Sequence, residues 1–170
     1  MLKLARAIDT VNEYVGTFNA FLIIPLLVVV VFEVIMRYGF NAPTTWAFET
    51  TTFLYGIHFV LAFGYTHKHD GHVAIDVFVM RLSDKPRAVM RIITNILLFI
   101  PTTGLLAIWS VKYAAISWSQ WEVNSTSWAP PLYPLKTIMA IGFVLLFLQG
   151  IAKLIQDFHI LQGNDPITER

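Results

Sequence analysis

Four long apolar stretches, about Phe18 to Met36, Phe48 to Tyr65, Val89 to Val111 and Leu135 to Ile155, take up most of this 170-residue chain. A helix needs about 20 residues to cross roughly 30 Å of hydrocarbon at 1.5 Å per residue, and each stretch comes close to that length. Hydrocarbon offers no partner to an open backbone, so only helices or closed barrels can span it, and these runs lack the period-2 alternation of barrel strands. The expected architecture is therefore an all-α integral membrane bundle, one domain with spans about 18–37, 46–66, 86–112 and 134–157. Hydrophobic residues at 56% and charged residues at 14% agree, since a soluble domain carries a larger charged share.

Charge placement orients the bundle. Lys3, Arg6, Lys68, Arg81, Lys85, Arg87, Arg91, Lys153 and Arg170 fall on one side of the expected spans, and only Arg37, Lys112 and Lys136 on the other. The positive-inside rule then puts both termini and the middle loop in the cytoplasm. Trp46, Trp109, Trp118, Trp121, Trp128 and Tyr133 gather toward the opposite surface, where amphipathic rings favour the interface. The first apolar run is longer than a signal-peptide core and Met36-Arg37-Tyr38 is no small-residue cleavage site, so the first span is expected to be retained. The net charge of +1 offers nucleic acid no electrostatic attraction, and the lack of cysteine removes disulfides, thiolate ligands and a cysteine nucleophile.

Within this frame, Leu4, Ile8, Val11 and Val15 recur at helical spacing while Lys3, Arg6, Asp9 and Glu13 take other faces, predicting an amphipathic N-terminal helix along the inner surface. Pro25 predicts a modest kink in span one. Glu33 stands four residues before Arg37, the favourable order for an ion pair, and Gly39 supplies a stop. Trp46 and Glu49 open span two; Glu49, Thr52 and Gly56 share one face, and the small-xxx-small spacing of Thr52 and Gly56 predicts a helix-packing seam. Residues 73–81 read as a short inner surface helix between spans two and three, too short to span. Pro101 and Gly104 predict a bend in span three.

Five histidines raise the question of metal or haem. His67, His69 and His72 cluster, but without cysteine a closed zinc shell would need Asp70 or Asp76; the expectation is no metal, with His72 and Asp76 forming an i,i+4 pair on the surface helix. His58 lies about 16 Å into the membrane, counted from Ala47, and is expected to be a neutral imidazole bonded to a neighbouring helix. His159 lies at a different depth from His58, so no paired axial ligands for haem are evident. Glu33, Arg37 and Glu49 are expected to neutralise one another at the outer edge. No nucleophile with its base, phosphate-binding glycine loop or broken-helix transport site can be read, so neither enzyme activity nor a cofactor is expected.

Arg37-Tyr38, then Trp46-x-x-Glu49 at the start of span two, then Gly71-His72-Val73-x-x-Asp76 in the inner loop, within a four-span chain, resemble the small membrane subunit, DctQ type, of tripartite ATP-independent periplasmic (TRAP) transporters. Many relatives carry two adjacent acids after the tryptophan, where here Phe48 precedes Glu49. The resemblance implies a non-catalytic subunit of the bacterial inner membrane, working with a large multi-span subunit and a periplasmic substrate-binding protein. The large subunit would carry sodium ions and an organic acid by an elevator motion, and the small one would extend its fixed scaffold. It implies structural or interface roles for Arg37, Trp46, Glu49, Gly56, His72 and Asp76. A second reading, a haem- or quinone-binding anchor of an oxidoreductase, rests on His58 and the aromatic content.

Overall fold

The structure is a computed structural model that describes residues 2–71 and 84–162. All its regular elements are helical: α1 (Leu2–Ala20), α2 (Ile23–Val34) running into a π-helical turn (Ile35–Gly39), α3 (Ala47–Lys68), α4 (Asp84–Thr94) running through a second π-helical turn (Asn95–Phe99) into α5 (Ile100–Ser119), and α6 (Tyr133–Leu161). Among the described residues there is no strand, only an isolated bridge between Val123 and Pro131. Three continuous helical runs are long and apolar enough to cross a membrane: Leu2–Gly39, Pro86–Ser119 and Tyr133–Leu161. α3 has the length, with 22 residues or about 33 Å, but Glu49, three consecutive threonines and two histidines leave it less apolar. The inner surface helix expected at 73–81, with its His72–Asp76 pair, lies outside the described residues.

The proline in the first run acts one turn earlier than its own position. Pro25 has no N–H to offer the Phe21 carbonyl, and the chain departs from α-helix at Phe21 and Leu22, whose N–H groups bond back three residues to Phe18 and Asn19 at 3.1 and 3.0 Å. Instead of a kink inside one span, the result is two helices joined by a tight turn. The second π-helical turn stands just ahead of Pro101 and closes on a bond from the Ile100 N–H to the Asn95 carbonyl; a wider turn there relieves the crowding that a proline ring imposes on the preceding turn.

α6 is the central helix. It packs against α1, α3, α4 and α5, whereas α2 leans on α3. Close packing is set by glycine. A Cβ on Gly142 would lie 2.2 Å from Val60 Cγ1 and 2.8 Å from the Val60 carbonyl oxygen, so α3 and α6 touch backbone to side chain there. Gly150 likewise admits the Phe99 ring, Gly16 the Tyr65 ring and Gly64 the Asn12 side chain. The seam expected at Thr52 and Gly56 is not among these contacts. Thr52 is exposed, and a Cβ on Gly56 would meet nothing within 4 Å, because α6 crosses α3 on the face of Val60 and Phe63 instead.

α1 also turns a different face inward from the one its apolar spacing suggests. Its buried residues are Ala5, Asn12 and Asn19, a stripe spaced by seven, while Leu4, Val11 and Phe18 one position earlier are exposed. Polar groups hold α1 to the bundle and apolar groups face outward. That inversion suits a helix whose surroundings are lipid or another apolar surface.

Candidate functional site

Two belts of polar contacts cross the bundle, one toward each end, labelled inner and outer after the orientation expected from the charge distribution. In the inner belt, Gln149 of α6 is fully buried and ties α6 to α1 twice: its Oε1 accepts from Asn12 Nδ2 at 2.8 Å, and its Nε2 donates to Asp9 Oδ1 at 2.7 Å. The other Asp9 oxygen accepts from Gln156 Nε2 at 2.7 Å. Asn12 Oδ1 has no N–H partner and rests over Gly64, where a Cβ would come within 2.0 Å. Asn95, in the second π-helical turn, donates to the Gly150 carbonyl at 3.0 Å, so the widened turn and the glycine on α6 form one contact.

Nearer the inner surface the contacts become ionic. Arg91 pairs with Asp157 at 2.6 Å, Lys68 with Glu13 at 2.5 Å, and Lys153 with Asp70. His69 reaches the same Glu13 at 3.0 Å, while His67 stacks on Phe99 with ring centroids 4.1 Å apart. The two described members of the histidine cluster therefore serve different partners, and among the described residues no three His, Asp or Glu side chains are placed to hold a metal ion. His58 makes a reciprocal pair with α1. Its Nδ1 lies 3.1 Å from the Asn19 carbonyl, which requires the proton on that nitrogen, and Asn19 Nδ2 donates to the His58 carbonyl at 2.8 Å. The residue that motivated a haem or quinone anchor thus has its Nδ1 committed to the neighbouring helix, as does His159 to the Ile155 carbonyl of its own helix at 3.0 Å.

In the outer belt, Arg37 binds one Glu33 oxygen through Nη2 at 2.5 Å and Nε at 3.1 Å. The other Glu33 oxygen accepts from the Thr44 hydroxyl and N–H at 2.5 and 3.2 Å, and the Thr44 hydroxyl in turn accepts from the Ala47 N–H at 3.4 Å. Thr44 is thus the joint between the end of α2 and the start of α3. Trp46 stacks on Phe32 with centroids 5.7 Å apart, clamping the same corner. Glu49 is buried, but its hydrogen bond comes from Asn124 at 3.4 Å in the distant outer loop, so the expected Glu33, Arg37 and Glu49 constellation separates into two.

The loop after α5 is pinned rather than loose. Asn124 N–H donates to the Pro130 carbonyl and Leu132 N–H to the Glu122 carbonyl, both at 2.9 Å, folding 122–132 back on itself. Glu122 pairs with Lys136, whose ammonium also sits 3.7 Å from the Tyr113 ring centre. The hydrogen bond from Lys136 holds the Glu122 carboxyl below the usual carboxylate range. Trp118, Trp121 and Tyr133 pack ring to ring, and Trp118 Nε1 donates to Thr137 Oγ1 at 2.8 Å. Such a cluster suits the membrane interface, where one edge of each ring is wet.

Of the residues singled out by sequence, Arg37 and Trp46 meet at one corner, Glu49 lies under the outer loop, Gly56 stays open, and His72 and Asp76 lie outside the described residues. Sequence reasoning overlooked Asn12, Asn95 and Gln149. Each is an amide, Asn95 and Gln149 within apolar runs and Asn12 ahead of the first, and for the two within the runs the cost of an unpaired amide in hydrocarbon was the available signal. Two open grooves, about 370 Å³ between α5 and α6 and about 390 Å³ between α3 and the outer loop, are lined almost wholly by apolar side chains such as Val111, Ala140, Phe53 and Leu135. Neither gathers the converging polar groups that a solute site uses.

An all-helical bundle with long apolar helices, internally paired polar groups and an aromatic cluster toward one end defines a multi-pass membrane protein. Residues 26–159 match the family described as "Tripartite ATP-independent periplasmic transporters, DctQ component", and the chain belongs to that family, the small membrane component of TRAP transporters. A search of curated proteins gave no match.

Proposed function

We propose that this chain is the scaffold-extending small subunit of a TRAP importer in a bacterial inner membrane. It makes four crossings with both ends inside, α3 being the second, beside a large elevator-type subunit that carries an organic acid with sodium ions delivered by a periplasmic binding protein. One observation carries the reading: in a chain of this family, Asn12 with Gln149, Asn19 with His58, Asn95 with Gly150 and Arg91 with Asp157 tie the helices to one another, while the flanks are apolar and the two grooves gather no converging polar groups. A moving transport domain needs a stationary wall, and helices knitted by amide and ion pairs at both ends supply one. α3 supports the fourth crossing by its length and by its joint to α2 through Thr44.

Arg37 and Trp46 fix the α2–α3 corner, Glu49 holds the outer loop, and Gly56 with exposed Thr52 offers a close-approach surface to a partner; His72 and Asp76 are assigned to the inner partner surface. Reconstitution tests the whole. Sodium-driven uptake is expected in proteoliposomes holding this chain, the large subunit and the binding protein, and is expected to vanish when any one is left out. Uptake by this chain alone would overturn the proposal.

A further inference from the structure

α3 runs between two charged corners, and their spacing sets the depth of what it carries. Its first residue, Ala47, adjoins the corner of Glu33, Arg37 and Thr44, and its last, Lys68, pairs with Glu13. His58 stands about 16 Å along the axis from the first and about 15 Å from the last, at the middle of the crossing. α6 crosses α3 on the face of Val60 and Phe63, and α1 rests against His58 and Tyr65. Thr52, Tyr55 and Phe59, spaced by four residues or fewer, form the side left open, and all three are exposed. His58 sits at the rim between α1 and that side.

The second nitrogen of this ring is what the fold leaves unfinished. Because Nδ1 donates to the Asn19 carbonyl, Nε2 of the neutral ring carries a lone pair and can only accept. Among the described residues nothing donates to it, and the chain does not enclose it as it encloses the Asn12 and Asn19 side-chain oxygens, so Nε2 opens on the surface. The ring is short and its Nδ1 bond fixes it, so it cannot extend to the headgroups as a lysine would. Lipid tails hold no donor, and a bare acceptor at that depth costs free energy until one arrives. The adjoining side of α3 is shaped for a helix to bring it: Thr52 and Gly56 have small-residue spacing, and a Cβ on Gly56 would meet nothing within 4 Å. Tyr55 and Phe59, with ring centroids 5.1 Å apart, supply the packing surface beside them.

We propose that the open side of α3 beside His58 is a contact with the large membrane subunit, one of whose transmembrane helices donates an O–H or N–H to His58 Nε2 and packs on Thr52, Tyr55 and Phe59. The inference rests on the proposed function, with α3 as a crossing, and names a contact that function requires. The test uses this chain co-expressed with its large subunit. Because the chain has no cysteine, Thr52→Cys gives a single attachment point on it for a benzophenone maleimide. Irradiation in native membranes is expected to join the two subunits, with His58 intact. Separately, His58→Asn keeps a side-chain N–H for the Asn19 carbonyl but removes Nε2. It is expected to leave the thermal midpoint of the chain alone near that of the parent, and to weaken association with the large subunit about fivefold, the scale of one hydrogen bond between membrane helices, read by energy transfer between tagged subunits in proteoliposomes.

Any of four results would overturn the proposal while the complex itself still forms: a probe at Thr52→Cys that labels phospholipid only, one that joins two copies of this chain, a His58→Asn complex as tight as the parent, or a Soret band in the parent complex that His58→Asn abolishes, which would give Nε2 to haem iron instead. A parent chain that associates with no large subunit at all would overturn the functional reading, and this contact with it.

Discussion

α6 and α2 both lie in runs apolar enough to enter a bilayer, yet they hold opposite places in the molecule. α2 (Ile-Ile-Pro-Leu-Leu-Val-Val-Val-Val-Phe-Glu-Val) is nearly pure hydrocarbon, buries no residue and leans on α3. α6 is interrupted by Lys136, Gly142, Gln149, Gly150, Lys153 and Asp157, buries most of these interruptions and touches four other helices. In water the more apolar helix would be the core. In a bilayer the tails are as apolar as leucine, so apolarity alone draws no helix inward, and the helix with glycines to approach and amides to pair becomes the centre.

The sharpest way to break that contrast is to fill a glycine of α6. Gly142→Val would drive a branched side chain into Val60, backbone included, and is expected to cost about 3 kcal/mol, read as a lower thermal midpoint in mild detergent. Next comes the amide junction. Gln149→Leu keeps the volume but leaves Asn12 and one Asp9 oxygen without this partner, for about 1–3 kcal/mol; hydrogen exchange should show α1 loosening before the rest. On α2 the same measurement should register little: Val28→Ala, at an exposed position, is expected to stay within about 0.5 kcal/mol. A loss comparable to that of Gln149→Leu would show that α2 is not peripheral.

The smallest expected effect sharpens the comparison at the outer end of α6. The Glu122 carboxyl is depressed in the folded protein by its bond from Lys136, so its stabilising share is present above the ordinary carboxylate pKa and is lost as the pH falls through the lowered folded value. Acidification through the lowered Glu122 value should therefore reduce the protection of amides at 122–132 relative to their intrinsic exchange rates without unfolding the bundle, and Glu122→Gln should show the lower protection already at neutral pH. Unchanged protection in both would mean that the Val123–Pro131 bridge and the aromatic cluster hold the loop alone.

The helical character of the chain, its long apolar runs and the Glu33–Arg37 pair could all be read from residue order. Each depends on spacing along one helix or on the length of one apolar run; the resemblance to the DctQ family, which residues 26–159 bear out, rested on the order of short motifs along the chain. The course of 113–133 could not be read, because its fold depends on Asn124 finding Glu49 and on Glu122 finding Lys136. Thr52 and Gly56 had the right spacing for a seam and Gly142 and Gly150 had none that stood out. Spacing says that a face can be approached closely, but not which helix arrives.

Chain order alone fixed what this protein is made of: helices long enough for a bilayer, polar groups too costly to leave unpaired there, and no cysteine or phosphate loop to do chemistry with. Only the tertiary structure decided which polar groups meet, because Asn12 and Gln149 are 137 residues apart and nothing local in either names the other. It likewise decided that α1 turns its amides inward and its leucine and phenylalanine outward. Hydrogen bonding, for which hydrocarbon offers no substitute, outweighs an apolar contact that the membrane supplies equally well.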